Sequence, residues 1–195
     1  MIAIVDYGAG NINSVKKALA YLGAEACLTN DPAVIATANK VVVPGVGHFS
    51  RCRSLNDRLR KPVLEAIAQS KPFLGICVGM QWLFEGSTES PDTPGSGIFP
   101  GECSRFPSDV KSPHVGWNRL EIRESSRLLR HIPSGSFFYY THSYRAPMVA
   151  GAVASSDYGG SFAAVVEQAN VFGVQFHPEK SGETGLELLE NFIAL

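Results

Sequence analysis

Gly75-Ile76-Cys77-Val78-Gly79 and His177-Pro178-Glu179 are the segments of this 195-residue chain whose residue types could do covalent chemistry. The first copies the G-x-S-x-G nucleophile elbow with cysteine in place of serine. A nucleophile on so sharp a strand-to-helix turn is strained, and glycine neighbours let the chains pack there. The helix that follows aims its positive end at the sulfur and favours the thiolate. Alone, the pattern is equally that of a core cysteine. In the second segment, residues i and i+2 of an extended chain face one side. Pro178 pushes His177 towards extended geometry, so His177 and Glu179 can project together. A carboxylate beside an imidazole fixes its tautomer and stabilises its protonated form. Alone, that pair reads first as a surface His–Glu contact at a strand end. Together the two segments supply nucleophile, base and orienter in one chain.

The elements that must position them follow from periodicity. Ile2 to Asp6 reads as a buried strand broken by Tyr7-Gly8-Ala9-Gly10-Asn11. Ile12, Val15, Ala18, Leu19 and Leu22 fall at helical spacing, and Gly23 is a natural stop. Ala24 to Thr29 is a weak second strand, and Asp31-Pro32 reads as the cap and first residue of a short helix. Lys40 to Val43 is a third strand ending at Pro44-Gly45-Val46-Gly47. A helix is expected from about Leu55 to Gln69, with Pro62 an awkward interior breaker. Pro72 to Ile76 is the next strand, and Cys77 to Phe84 reads as the start of a buried helix. This alternation predicts a mostly parallel α/β sheet covered on both faces. Ser87 to Gly101 is rich in proline and glycine and reads as loop. Strand-like segments Trp117–Ile122, Phe137–Tyr144, Ala150–Ser155, Ala163–Glu167 and Val171–Phe176 suggest added antiparallel strands. A last amphipathic helix covers roughly Gly185 to Ile193. A single domain, 1–195, is expected from this length.

Composition removes several function classes. Seventeen basic against eighteen acidic residues give a net charge of −1, which offers no electrostatic footprint for nucleic acid or an anionic membrane. No apolar run approaches the length needed to span a bilayer. The N-terminus meets Asp6 at once and lacks the basic start of a signal peptide, so a cytoplasmic location is expected. Cys27, Cys52, Cys77 and Cys103 form no CxxC pair and no zinc spacing, so reduced thiols are expected, with no metal and no cofactor. Gly8-x-Gly10 followed by Asn13 fails the dinucleotide fingerprint, and no P-loop, EF-hand or His-Glu-x-x-His occurs.

Gly-Ile-Cys-Val-Gly-Met-Gln (75–81) together with Gln-Phe-His-Pro-Glu-Lys-Ser (175–181) resembles the class I (triad) glutamine amidotransferases. The opening Asp6-Tyr7-Gly8-Ala9-Gly10-Asn11, the loop Pro44–Gly47, Pro113-His114-Val115-Gly116-Trp117-Asn118 and Thr141-His142-Ser143-Tyr144 narrow the resemblance. They are similar to the subfamily of glutaminase subunits of imidazole glycerol phosphate synthase, and the matching stretches span nearly the whole chain in order. The resemblance implies a flavodoxin-like α/β fold. It implies that Cys77 attacks the side-chain amide of glutamine, that His177 moves the proton and that Glu179 orients it. It implies an oxyanion hole from the N–H groups of Val78 and, after a peptide flip that Gly45 and Gly47 make sterically easy, Val46. Gln81 and Glu89 are implied to hold the amino-acid end of glutamine, with Gly45, Gly47, His142 and Ser143 also among the substrate-binding residues. Asn11, Trp117 and Lys180 match partner-facing positions, the partner being a (β/α)8-barrel cyclase subunit that receives the ammonia.

The chain departs from the subfamily pattern in places. Val78 stands where leucine is more usual, a mild change because the backbone N–H is what counts. His48 follows the Pro44–Gly47 loop where a small residue is more usual, and is expected to face solvent. Cys27, Cys52 and Cys103 match nothing and are expected to be inert. The rival readings are a glutaminase serving another synthase, such as a sugar amidotransferase, a non-catalytic regulatory copy, and a peptidase on the same fold. Intact Cys77, His177, Glu179 and Gln81 disfavour the regulatory copy, and the Gln81–Glu89 pair favours a free amino acid over a peptide.

Overall fold

Four short apolar runs lie side by side as parallel strands, because a helix carries the chain back after each. In the computed structural model, which describes residues 1–195, these are β1 (Ile2–Val5), β2 (Ala26–Thr29), β3 (Lys40–Gly45) and β4 (Phe73–Cys77). The returning helices are α1 (Ile12–Tyr21), α2 (Pro32–Thr37), the pair α3 (Cys52–Arg58) and α4 (Arg60–Ala68), and α5 (Val78–Gln81). As expected, the Asp31 side chain accepts the Ala33 N–H at 2.9 Å and Pro32 opens α2. Gly23 takes φ +76° where α1 ends.

Beyond α5 come β5 (Gly86–Ser87), β6 (Glu102–Arg105), β7 (His114–Arg119), β8 (Glu121–Ile122), β9 (Phe137–His142), β10 (Tyr144–Arg145), β11 (Ala152–Asp157), β12 (Ser161–Gln168) and β13 (Val171–Val174), before the final helix α6 (Gly182–Ala194). The main sheet runs β2-β1-β3-β4-β13-β12-β11-β8. It is parallel from β2 to β13 and antiparallel beyond, the mixed sheet the sequence predicts. The order 2-1-3-4 followed by a fifth parallel strand is flavodoxin-like. α1 packs with α6 and α2 with α4, so β1, β4 and β13 are buried along their whole length. Two small sheets, β10-β6-β5 and β7-β9, stand outside it.

Two local readings need correction. The helix expected over Leu55–Gln69 is two helices that break at Leu59. Pro62 is then the third residue of α4, inside the first turn, where its missing N–H costs nothing. The helix expected to reach Phe84 is a single turn ending at Gln81, after which the chain turns away. Residues 87–101 form little regular structure, as expected, but they are held: Asn56 and Arg60 donate to the carbonyls of Pro94, Gly95 and Ser96, at 2.7 Å for Pro94 and Gly95.

Candidate active site

Parallel sheets gather their ligand groups at the carboxyl ends of the strands, and every chemistry-bearing segment here lies at one. Cys77 ends β4, directly opposite Gly45 at the end of β3, and His177 lies three residues past β13, which pairs with β4. The turn at Cys77 is the strained elbow the glycines foretell. Cys77 holds φ +54° and ψ −108°, a conformation that L residues rarely adopt. A Cβ on Gly79 would fall 1.8 Å from the Val43 carbonyl oxygen, and one on Gly75 2.5 Å from that of Gly79. Both glycines are therefore steric requirements of the turn.

His177 is 1% exposed, and its Nδ1 lies 2.9 Å from Glu179 Oε1. The two side chains meet, but for a different reason from the one expected. Only His177 is extended; Pro178 to Lys180 form a 3-10 turn, and that turn swings the carboxylate back under the ring. Burial pulls the His177 pKa down, but the charge and side-chain interaction of Cys77 and the hydrogen bond and charge of Glu179 push it up to about 10. The imidazolium is thus the favoured form beside the sulfur. Its Nε2 is buried without another protein partner. Ser181 clamps the backbone here, its hydroxyl donating to the His177 carbonyl at 2.6 Å and accepting the Tyr139 N–H at 3.0 Å.

Asn11, expected at the partner-facing surface, turns its amide inwards. Nδ2 donates to Glu179 Oε1 at 2.5 Å, the oxygen that His177 also uses. Asn11 caps α1 in the left-handed region, so the carboxylate sits at the positive end of that helix.

A cavity of about 240 Å³ opens beside Cys77, below the roughly 300–1,000 Å³ of sites for drug-sized ligands. Gly47, Cys77, Val78, Gln81 and Glu89 line one side, and Pro113 with Thr141 to Tyr144 line the other. Cys77, Val78, Gly47, Gln81, Glu89, His142 and Ser143 are thus gathered as expected. Gly45 and Val46 are not on the cavity wall; Gly45 lies behind it, where a Cβ would strike the Tyr7 hydroxyl and Val78. That Tyr7 hydroxyl is buried with no hydrogen-bond partner. Glu89 reaches the segment after the Pro44–Gly47 loop, accepting the Phe49 N–H at 2.7 Å. His48 faces solvent, as expected, and its ring caps the Ser50 N–H.

Three features were not read from the sequence. Gln175, wholly buried, donates to Cys77 Sγ at 3.6 Å. The quoted motif contained it, but nothing in residue type or spacing assigned it a task. A buried imidazole pair, His114 Nδ1 to His142 Nε2 at 3.1 Å, joins β7 to β9. Burial holds His114 down at about 4 and His142 down at about 3, so both are neutral. The third is Tyr139, which joins the expected partner-facing Trp117 and Lys180 into one aromatic patch on the same two strands. Trp117 is 54% exposed and meets the Tyr139 ring edge-on, and Lys180 Nζ lies 5.8 Å over Tyr139. Cys52 and Cys103 are buried, their thiols pushed up by burial, Cys52 to about 12. Cys27 is half-buried against Met1.

Among known proteins, the family model for glutamine amidotransferase class-I matches residues 3–195. The imidazole glycerol phosphate synthase subunit HisH of Methanothermobacter thermautotrophicus is 45% identical over 196 residues, covering 100% of this chain and 98% of that protein. The HisH subunit of Thermococcus kodakarensis is 46% identical, covering 98% of each chain. A crystal structure of a glutamine amidotransferase matches with TM-score 0.76 at 18% identity over 98% of this chain and 99% of that one. The PurLQS structure from Thermotoga maritima matches with TM-score 0.73 at 19% identity, over 99% of this chain and 97% of that one, and both likenesses concern the fold. This chain is therefore a class I glutamine amidotransferase, a member of the family of HisH subunits of imidazole glycerol phosphate synthase.

Proposed function

We propose that this protein hydrolyses glutamine to glutamate and ammonia as the glutaminase subunit of imidazole glycerol phosphate synthase in histidine biosynthesis. The carrying observation is Cys77 on the strained elbow, at the mouth of an amino-acid-sized cavity, with a Glu179-held His177 beside it. The Cys77 thiolate adds to the glutamine side-chain carbonyl. The oxyanion forms against the Val78 N–H, and against that of Val46 once the Gly45–Val46 peptide turns over. The C–N bond breaks as His177 gives its proton to the leaving ammonia. Water then cleaves the thioester with His177 as base, glutamate leaves, and thiolate and imidazolium are restored.

Gln81 uses its N–H groups on Tyr144 O and Gln175, so it offers an acceptor to the substrate. Glu89 is the natural counter-charge for the α-ammonium group, and His142 and Ser143 close the far wall.

The partner is a (β/α)8-barrel cyclase subunit, to which ammonia passes for synthesis of imidazole glycerol phosphate and aminoimidazole carboxamide ribotide. The exposed Trp117 and Lys180, with the half-buried Tyr139, favour that face: Trp117 pairs with Tyr139, and the Tyr139 carbonyl accepts the His177 N–H at 2.9 Å. A partner seated there would sit one hydrogen bond from the triad. We read the chain as one domain, 1–195, working in the cytoplasm; no helix is long and apolar enough to cross a membrane.

The test is glutamate release by the purified chain, alone and with a cyclase barrel and its nucleotide ligand, with Cys77→Ala as control. Stimulation that disappears in Cys77→Ala is expected. Cys77-dependent activity indifferent to the barrel would point to another synthase, and no activity in any mixture to a regulatory subunit.

A further inference from the structure

Gln175 has no part in the steps above, yet its carboxamide bridges Gln81, a residue of the cavity wall, and the nucleophile. It is fully buried, and its neighbours fix which way it points. The Tyr144 carbonyl is a backbone oxygen and can only accept; it takes the His142 Nδ1–H at 2.8 Å and a Gln81 Nε2–H at 2.9 Å. Gln81 must therefore turn its NH₂ inwards, and the same NH₂ reaches Gln175 at 3.1 Å. Gln175 has to answer with Oε1, which leaves its own NH₂ facing Cys77 Sγ at 3.6 Å. Flipping Gln81 would set acceptor against acceptor at the Tyr144 carbonyl and at Gln175 Oε1, and flipping Gln175 would set donor against donor at Gln81, both in a dry interior.

We propose that Gln175 is a positioning residue that holds an N–H donor on the Cys77 sulfur, with its orientation set through Gln81 by the Tyr144 carbonyl. An N–H donor stabilises thiolate over thiol. It does so independently of His177, whose proton is given up when ammonia leaves. The Gln175 donor is in place at every stage, whatever the protonation state of His177. Gln175 stands two residues before His177, immediately past the end of β13, so the extended chain turns both side chains towards Cys77. Coupling through Gln81 also links the donor to a residue of the cavity wall. This assignment rests on Cys77 being the nucleophile. If Gln175 were only a satisfied core amide, its replacement would alter stability and leave the sulfur's behaviour unchanged.

The experiment is the pH dependence of Cys77 alkylation by iodoacetamide in the full chain, followed by mass of the Cys77 peptide and accompanied by thermal melts. In Gln175→Glu, which replaces the donor with an acceptor, alkylation at pH 7 is expected to slow about tenfold and its midpoint to move to higher pH. Gln175→Met, similar in length and lacking the N–H, is expected to move the midpoint the same way by less. If Gln175→Glu does not fold, Gln175→Met decides. Folded variants whose alkylation profiles coincide with the wild type overturn the proposal. Glutamate release by Cys77→Ala tests the premise separately. Retained activity there overturns the nucleophile assignment, whereas lost activity with unchanged alkylation profiles overturns the role of Gln175 alone.

Discussion

Glu179 receives His177 Nδ1 and Asn11 Nδ2 on one carboxylate oxygen. Replacing it by glutamine removes the charge that holds the imidazolium, so glutamate release is expected to fall by about a hundredfold or more, read as kcat. Asn11→Ala keeps that charge and loses one hydrogen bond, with a fall of about tenfold expected in the same assay. The histidines also set opposite pH limits on folding. The His177 pKa is raised in the fold to about 10, so its contribution is complete below the unfolded value near 6.5 and lost as pH rises towards 10. His114 is held down to about 4 and His142 to about 3, so the unfolded chain takes up their protons first. Stability should therefore drop as pH falls below about 6.5, by up to about 1.4 kcal/mol per pH unit for each imidazole. Urea unfolding between pH 7 and 4 checks this, and His114→Gln should flatten the slope. Tyr7→Phe removes a buried hydroxyl that has no partner, so its melting point should be unchanged or higher.

At the level of elements, the elbow depends on how closely α5 lies against β3. Gly79→Ala would drive a methyl group into the Val43 carbonyl, backbone against backbone, with no side chain free to yield. A loss of roughly 3 kcal/mol or more is expected in thermal or urea unfolding. Gly86→Ala is the control: there a Cβ meets nothing nearer than 3.6 Å, and the change should stay within about 1 kcal/mol. The shortness of α5 has its own consequence. One turn is enough to put Val78 and Gln81 on the cavity wall, and the chain then departs into the segment that supplies Glu89.

On the scale of the whole molecule, the parallel half of the sheet carries Cys77 and His177, and the small β7-β9 sheet supplies the opposite wall of the cavity. The outer face of that small sheet carries Trp117 beside Tyr139, with Lys180 stacked over it. An exposed aromatic cluster of this kind concentrates binding energy. Trp117→Ala is expected to weaken binding of a cyclase barrel by about tenfold or more, measured by titration, while the melting point of the free chain stays put.

How much of this the chain's order of residues determines by itself depends on the range of the cause. The β–α alternation, the cap at Asp31-Pro32 and the strain at Cys77 arise from neighbours within a few residues, and they were legible. That Cys77, His177 and Glu179 would gather at one end of the sheet was legible as well, because their residue types and local settings fit a single reaction centre. The break at Leu59 and the single turn of α5 were not, since tertiary packing decides where an apolar helix stops. Nor were the contacts Asn11–Glu179, Gln175–Cys77 and His114–His142, which join residues 168, 98 and 28 positions apart. An amide or an imidazole carries no mark in sequence of the partner it will meet. Only the folded backbone, through acceptors such as the Tyr144 carbonyl, fixes which of its atoms faces the sulfur.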